Sequence, residues 1–216
     1  VRAPAEPTSA RQKQRHARML RAAARLGARH GFERMQMHDV AREADVAIAT
    51  LYRYFPSKTH LFAAVMHEQV MRLSDGNPVP RPGPDPVDAV CELLVGASRQ
   101  LLERPLLALA MMQSNNIVAV GGSTAARQAD EMFRHLLLRT AGIAHPSDRD
   151  MRVVRILEQT WYGILTTILN ERTTFEIAEE DIRLACRLLL DPATADRRPP
   201  PSRSPGTAAP ESGTVP

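Results

Sequence analysis

The chain has little cysteine, few strand signals and no long apolar run. Only two cysteines occur in 216 residues, Cys91 and Cys186, far apart in sequence. They cannot form the disulfide framework of a small secreted domain, and a reducing cytosol is the simpler setting. No stretch approaches the roughly twenty apolar residues of a membrane-spanning helix, and the mean hydropathy is −0.27. The opening Val1-Arg2-Ala3-Pro4 lacks the apolar centre of a secretory leader, so a cytoplasmic location is expected. Recognised catalytic patterns are missing too. The seven histidines form no HExxH. His60 and His67 stand about 10 Å apart along a helix, too far for a shared metal face. Gly121-Gly122-Ser123-Thr124 has neither the preceding strand nor the following lysine of a phosphate loop, and reads as a helix stop and restart. No serine sits in a nucleophile elbow. An enzyme or a metal protein is therefore not expected.

What is present is an uneven charge. Residues 1–60 carry twelve Lys/Arg against five Asp/Glu, a balance of +7. The remaining residues balance at −3, which leaves the whole chain at +4. A basic end on a mildly acidic body is the pattern of a polyanion-binding module joined to something else.

Periodicity predicts an all-α protein in two parts. Residues 1–8 read as a disordered lead-in, and 9–75 as a basic unit of three helices with a connecting fourth helix. A basic helix runs from Ser9 to His30, closed by Gly31, with Met19, Ala23, Leu26 and His30 on its inner stripe. Short helices follow at Met37–Ala44 and Ala47–Phe55, then a longer one from Ser57 to Leu73. Residues 76–86 are proline-rich and predict a linker. Five helical patterns fill 87–190: Val87–Glu103, Leu106–Val120, Thr124–Ala141, Asp148–Arg172 and Ala178–Leu190. The tail, 191–216, is proline-rich, nearly free of apolar residues and predicted to be disordered.

The second and third helices are joined by only Asp45-Val46, the spacing of a helix-turn-helix. Val40, Ala41, Val46, Leu51 and Phe55 form its expected interior. The outer face of the third helix is left with Ile48, Ala49, Thr50, Tyr52, Arg53 and Tyr54. Arginine can pair with guanine O6 and N7, and small apolar groups can meet a thymine methyl. Hydroxyls and Lys58 suit phosphate oxygens.

Residues 18–62 resemble the DNA-binding domain of the TetR family of bacterial repressors. The resemblance rests on Met19-Leu20, Ala22-Ala23, Gly31-Phe32, Asp39-Val40-Ala41 and Thr50-Leu51-Tyr52-Arg53-Tyr54-Phe55-Pro56-Ser57-Lys58. It implies base-proximal roles for His38, Ile48, Ala49, Tyr52 and Arg53, and phosphate contacts from Thr50, Tyr54 and Lys58. It departs from the family at Asp45, Ala47 and Gln36, where a turn glycine and two capping hydroxyls are usual. The missing caps cost about 1 kcal/mol each in isolated helices.

In the second part, Met111, Met112, Asn115 and Trp161, with Leu165 on the same long helix as Trp161, are the candidate effector-binding residues. Methionine adapts to varied ligands, and a buried amide needs a polar partner. The long helix is apolar on two faces and must be covered on both. The family resemblance implies that it and the last helix form a two-fold dimer, with Ile164, Ile168, Leu184 and Leu188 at the interface. Looser likeness to actinomycete repressors of cholesterol and steroid catabolism rests on Asp45–Leu61, Arg104-Pro105-Leu106-Leu107 and Ala185–Leu190. It implies a large apolar effector, steroid-like or an acyl-CoA. The expected protein is thus a ligand-released, dimeric repressor of a palindromic operator. The alternative is an architectural DNA-binding protein without an effector, and no cofactor is implied.

Overall fold

The computed structural model describes residues 5–76, 85–120 and 124–190. Among these residues there are nine helices and no strand. The expected lead-in at 1–4, most of the linker at 76–86, the Gly121–Ser123 turn and the tail at 191–216 lie outside the described residues.

Helix α1 spans Ala10–Arg34. Ser9 begins it with a capping box, its Oγ accepting from the Gln12 N–H, so two otherwise unpaired backbone donors are satisfied. Gly31 interrupts it at φ 70° and ψ −178°, a conformation open essentially only to glycine, and one further turn follows to Arg34. Helices α2 (Met37–Glu43) and α3 (Ile48–Tyr54) form the helix-turn-helix. Between them Asp45 takes the left-handed conformation at φ 52°. The Val46 N–H reaches the Ala41 carbonyl at 3.0 Å and the Asp45 N–H that of Arg42 at 3.2 Å. This is the Schellman closure, built here on an Asp where glycine is commoner. Neither Gln36 nor Ala47 makes a side-chain cap, as the sequence implied. Both short helices are held by burial of Met37, Val40, Ala41, Leu51 and Phe55 instead.

Helix α4 (Lys58–Gly76) leads to α5 (Pro86–Leu102), α6 (Pro105–Val120), α7 (Thr124–Thr140), α8 (Asp148–Leu169) and α9 (Phe175–Leu190). Three starts lie earlier than the sequence reading. Pro86 was expected to end the linker and the next helix to begin at Leu106, yet Pro86 and Pro105 each open a helix. Proline fits the first position because its missing N–H has no helical partner there, and Asp85 caps α5 through the Val87 N–H. Helix α9 likewise starts at Phe175, three residues before the expected Ala178.

Two apolar cores result. One joins α1–α4 and the other joins α5–α9. Helices α4 and α6 belong to both, α4 through Leu61, Phe62 and Val65 in the first and Val70 in the second. From α6, Leu107, Ala110 and Met111 complete the first core, while Ala108 and Met112 enter the second. Helices α1 and α4 pack on α6, and α4 also packs on α7. Gly27 marks the tightest approach, since a Cβ there would stand 2.6 Å from Phe62 Cε1 and 3.1 Å from Leu107 Cδ1.

Candidate nucleic-acid interface and the helical domain behind it

The outer face of the helix-turn-helix is polar and open. His38, Ile48, Ala49, Tyr52 and Arg53 are exposed, Tyr52 at 47%. Thr50 is half-buried beside them. These six side chains share one surface formed by the start of α2 and the outside of α3. The opposite side of α3 is sealed: Leu51 is fully buried, and Phe55 follows it into the core.

Tyr54 departs from the sequence reading. It was expected on the outer face but is only 3% exposed. Its ring lies edge-on to His16 at 5.6 Å between centroids, and its hydroxyl receives a 3.4 Å contact from Arg53 Nη2. The Arg53 guanidinium lies 5.2 Å from the Tyr54 ring centroid. Tyr54 thus supports the arginine from beneath. His16 also faces Phe55 at 5.0 Å, and burial lowers its pKa against the opposing pull of Glu68, which favours the neutral ring.

Lys58 is similarly engaged elsewhere. Its ammonium donates to the carbonyls of Glu33 (3.3 Å) and Met35 (3.2 Å) and lies 4.4 Å from the Phe32 ring centroid. A cation near a helix C-terminus satisfies orphan carbonyls and meets the negative end of the helix dipole. In this structure Lys58 therefore ties α4 to the end of α1, where the sequence reading had it free for phosphate.

The five residues read as an effector set do not all converge: Met112, Trp161 and Leu165 share one core, and Met111 faces the other, that of the DNA-binding unit. The sequence held the reason: neighbouring residues on a helix point about 100° apart, so Met111 and Met112 cannot share one wall. The Trp161 indole N–H donates to Ser98 Oγ at 2.9 Å, and its ring stacks on Phe133 at 4.9 Å.

Asn115 leads to a polar cluster that sequence reasoning missed. Its Nδ2 donates to Asp130 Oδ1 at 3.1 Å, while its buried Oδ1 has no hydrogen-bond partner among the described residues. One helix over, Arg134 Nη1 pairs with Glu158 Oε2 at 3.0 Å. Burial pushes the Glu158 carboxyl up to about 7 despite Arg134, with Asp130 adding a smaller upward push. Burial raises Asp130 as well, against the Asn115 hydrogen bond and Arg134. Alongside, Asn116 Nδ2 donates to Tyr162 Oη at 2.7 Å, and Tyr162 donates to the Met112 carbonyl at 2.9 Å.

The outer faces of α8 and α9 expose large apolar side chains. Leu184 is 55% and Leu188 58% exposed, and Ile156 and Ile177 are comparably open. Ile164 and Ile168, expected at the same interface, are half-buried against the protein's own core. Cys91 on α5 and Cys186 on α9, distant in sequence, are both free thiols buried in that core. Hydrogen bonding to Cys91 and burial push the Cys186 thiol up, so it stays protonated.

A basic helix-turn-helix unit carried on a second helical domain defines a DNA-binding regulator of transcription. Comparison with known proteins agrees. The family described as bacterial regulatory proteins, tetR family, matches residues 19–65. The tetracyclin repressor-like C-terminal domain matches residues 83–189. The HTH-type transcriptional repressor KstR of Rhodococcus jostii (strain RHA1) is 30% identical over 188 residues, covering 87% of each chain. KstR of Mycobacterium tuberculosis (strain ATCC 25618 / H37Rv) is 28% identical over 193 residues, 88% of this chain and 87% of that one. A TetR transcriptional regulator from Rhodococcus sp. RHA1, of solved structure, is 48% identical with a TM-score of 0.78, over 85% of this chain and 98% of that one. Thermus thermophilus FadR, solved in complex with lauroyl-CoA, shares the fold at a TM-score of 0.56 and 22% identity, over 89% and 100% of the two chains. The chain belongs to the TetR family of bacterial regulatory proteins and is a transcriptional regulator, not an enzyme. No helix among the described residues is long and apolar enough to cross a membrane.

Proposed function

We propose that this chain is a dimeric repressor that binds a palindromic operator and leaves it when an apolar effector enters the helical domain. The observation that carries the reading is the open face of α3. Ile48, Ala49, Tyr52 and Arg53 stand clear of the fold while Leu51, Tyr54 and Phe55 lock the helix from behind. His38 and Thr50 extend that face. A surface so arranged suits base edges at its centre and phosphates at its rim.

Dimerisation is supported by the apolar outer faces of α8 and α9. Gly163 on α8 has nothing within 4 Å of a Cβ position, so a neighbouring helix has room to approach closely there. A C2 pair through these helices would present two copies of α3 to two half-sites.

Effector response has a mechanical route in α6, which contributes side chains to both cores. A ligand that displaces Met112 or Asn115 shifts the helix that also carries Leu107 and Met111. The effector must favour the DNA-incompetent arrangement, because equal affinity for both arrangements shifts nothing. An acyl-CoA, the class of ligand held by the Thermus regulator, and a steroid-like body are the two candidates.

The experiment combines sedimentation and DNA binding on the full chain and on Leu184→Glu. The wild type is expected to sediment as a dimer and the variant as a folded monomer with weakened DNA binding. A dimeric variant with unchanged DNA binding would remove α9 from the interface.

A further inference from the structure

The first turns of α1 form a basic edge beside the recognition helix. Arg11, Arg15 and Arg18 recur at helical spacing, so their side chains leave one face of α1. They converge with Gln14, Asp45 and Thr50 around a hollow of about 460 Å³ between α1 and the α2–α3 turn. Among the described residues none of the three guanidiniums is ion-paired, whereas Arg25 further along α1 is paired with Glu43 and Arg42 with Asp39. Asp45 is the one acidic residue on the rim, so the edge keeps a net charge of +2.

The edge is fixed relative to α3. The Ala5 N–H donates to the Arg53 carbonyl at 3.0 Å, and Ala5 packs against the helix-turn-helix core. Residues 5–8 are therefore docked, where the sequence predicted a disordered lead-in. Thr8 N–H donates to Gln12 Oε1 at 2.8 Å, continuing the anchorage into α1. His16, on the same stretch, lies against Tyr54 and Phe55.

We infer that Arg11, Arg15 and Arg18 grip the DNA phosphate backbone next to the groove read by α3. The inference rests on the proposed DNA-reading role of α3 and extends the interface to a helix outside the helix-turn-helix. Arg11 and Arg18 are separated by about 10 Å along the helix axis. Over that distance a B-DNA strand presents about three phosphates. Thr50 borders both the hollow and the outer face of α3, so the two surfaces are continuous. Phosphate contacts of this kind set affinity and orientation and carry no base preference.

The test is a salt titration of binding by the full chain, with a labelled duplex of about 30 base pairs and scrambled sequence, from roughly 50 to 300 mM KCl. Each phosphate contact contributes about 0.9 to the slope of log affinity against log salt. The Arg11→Ala/Arg15→Ala/Arg18→Ala variant is expected to lower that slope by roughly 2 to 3 for each bound protomer, and the matching triple lysine variant is expected to retain it. Arg127→Ala, on the exposed surface of α7, serves as the control and leaves the slope unchanged. A triple alanine variant that folds with wild-type helicity and keeps the wild-type slope overturns the inference while the α3 reading stands. A wild type that shows no salt-dependent binding to any duplex overturns both.

Discussion

Single side chains carry two predictions that the fold made visible. Lys58 donates to two carbonyls at the end of α1 and lies over Phe32. Charge-assisted hydrogen bonds of this kind contribute about 1.5–3 kcal/mol. Lys58→Ala is therefore expected to lower the urea midpoint of the protein as well as any DNA affinity, and a variant with wild-type stability would free Lys58 from this structural role. Glu158 supplies the second. Its folded-state pKa of about 7 lies above the ordinary 4.5, so the folded protein holds a proton that the unfolded chain releases. The associated stabilisation is complete below about pH 4.5 and is lost as pH rises through 7. Its size is at most about 3 kcal/mol by the linkage relation. His16 and His67, whose pKa values burial lowers against Glu68, act in the opposite sense, so the comparison must be with a variant. Glu158→Gln should show a smaller fall in stability between pH 5 and pH 8 than wild type in urea melts at each pH. Parallel pH profiles would contradict the assignment.

At the scale of elements, two helices join the cores: α4, through Val70, and α6. Helix α6 is in the core of the DNA-binding unit through Leu107, Ala110 and Met111, and in the other core through Ala108 and Met112. Gly27 lets α1 approach both α4 and α6, and a methyl group there would collide with Phe62. Gly27→Ala is expected to cost about 1–3 kcal/mol through overpacking, read as a lower thermal midpoint. An unchanged midpoint would show that Phe62 swings aside freely. Several helices were legible from one sequence because their ends carry strong chemistry: Ser9 as an N-cap, Gly31 as a break, Pro56 as a stop. The helix-turn-helix was legible from spacing and from the motif around Thr50–Lys58. Tertiary relations were not. Pro86 reads as the end of a proline-rich linker until it is seen to open α5. Tyr54 looks like a surface hydroxyl until His16, thirty-eight residues earlier, is seen to cover it. The Asn115, Asp130, Arg134 and Glu158 cluster draws on three helices, and no local pattern in the sequence could assemble it.

At the scale of the whole molecule, the basic and the acidic parts of the sequence correspond to different tasks. The excess of positive charge lies in the first sixty residues, and it surrounds an exposed α3 face whose buried side is fully packed. The α5–α9 core supplies the apolar outer surface of α8 and α9 on one side and the polar cluster within. Membership of the TetR family fits the division we propose, in which α3 would read bases, basic side chains around it would hold phosphates, and α8 and α9 would form a two-fold interface. The most direct test is selection of bound duplexes from a random pool by the purified full chain near physiological salt. The account predicts recovery of a palindrome whose half-sites lie a helical turn or more apart, bound by two protomers. Salt-sensitive binding to all sequences alike, with no motif recovered, would contradict it and favour an architectural DNA-binding protein instead.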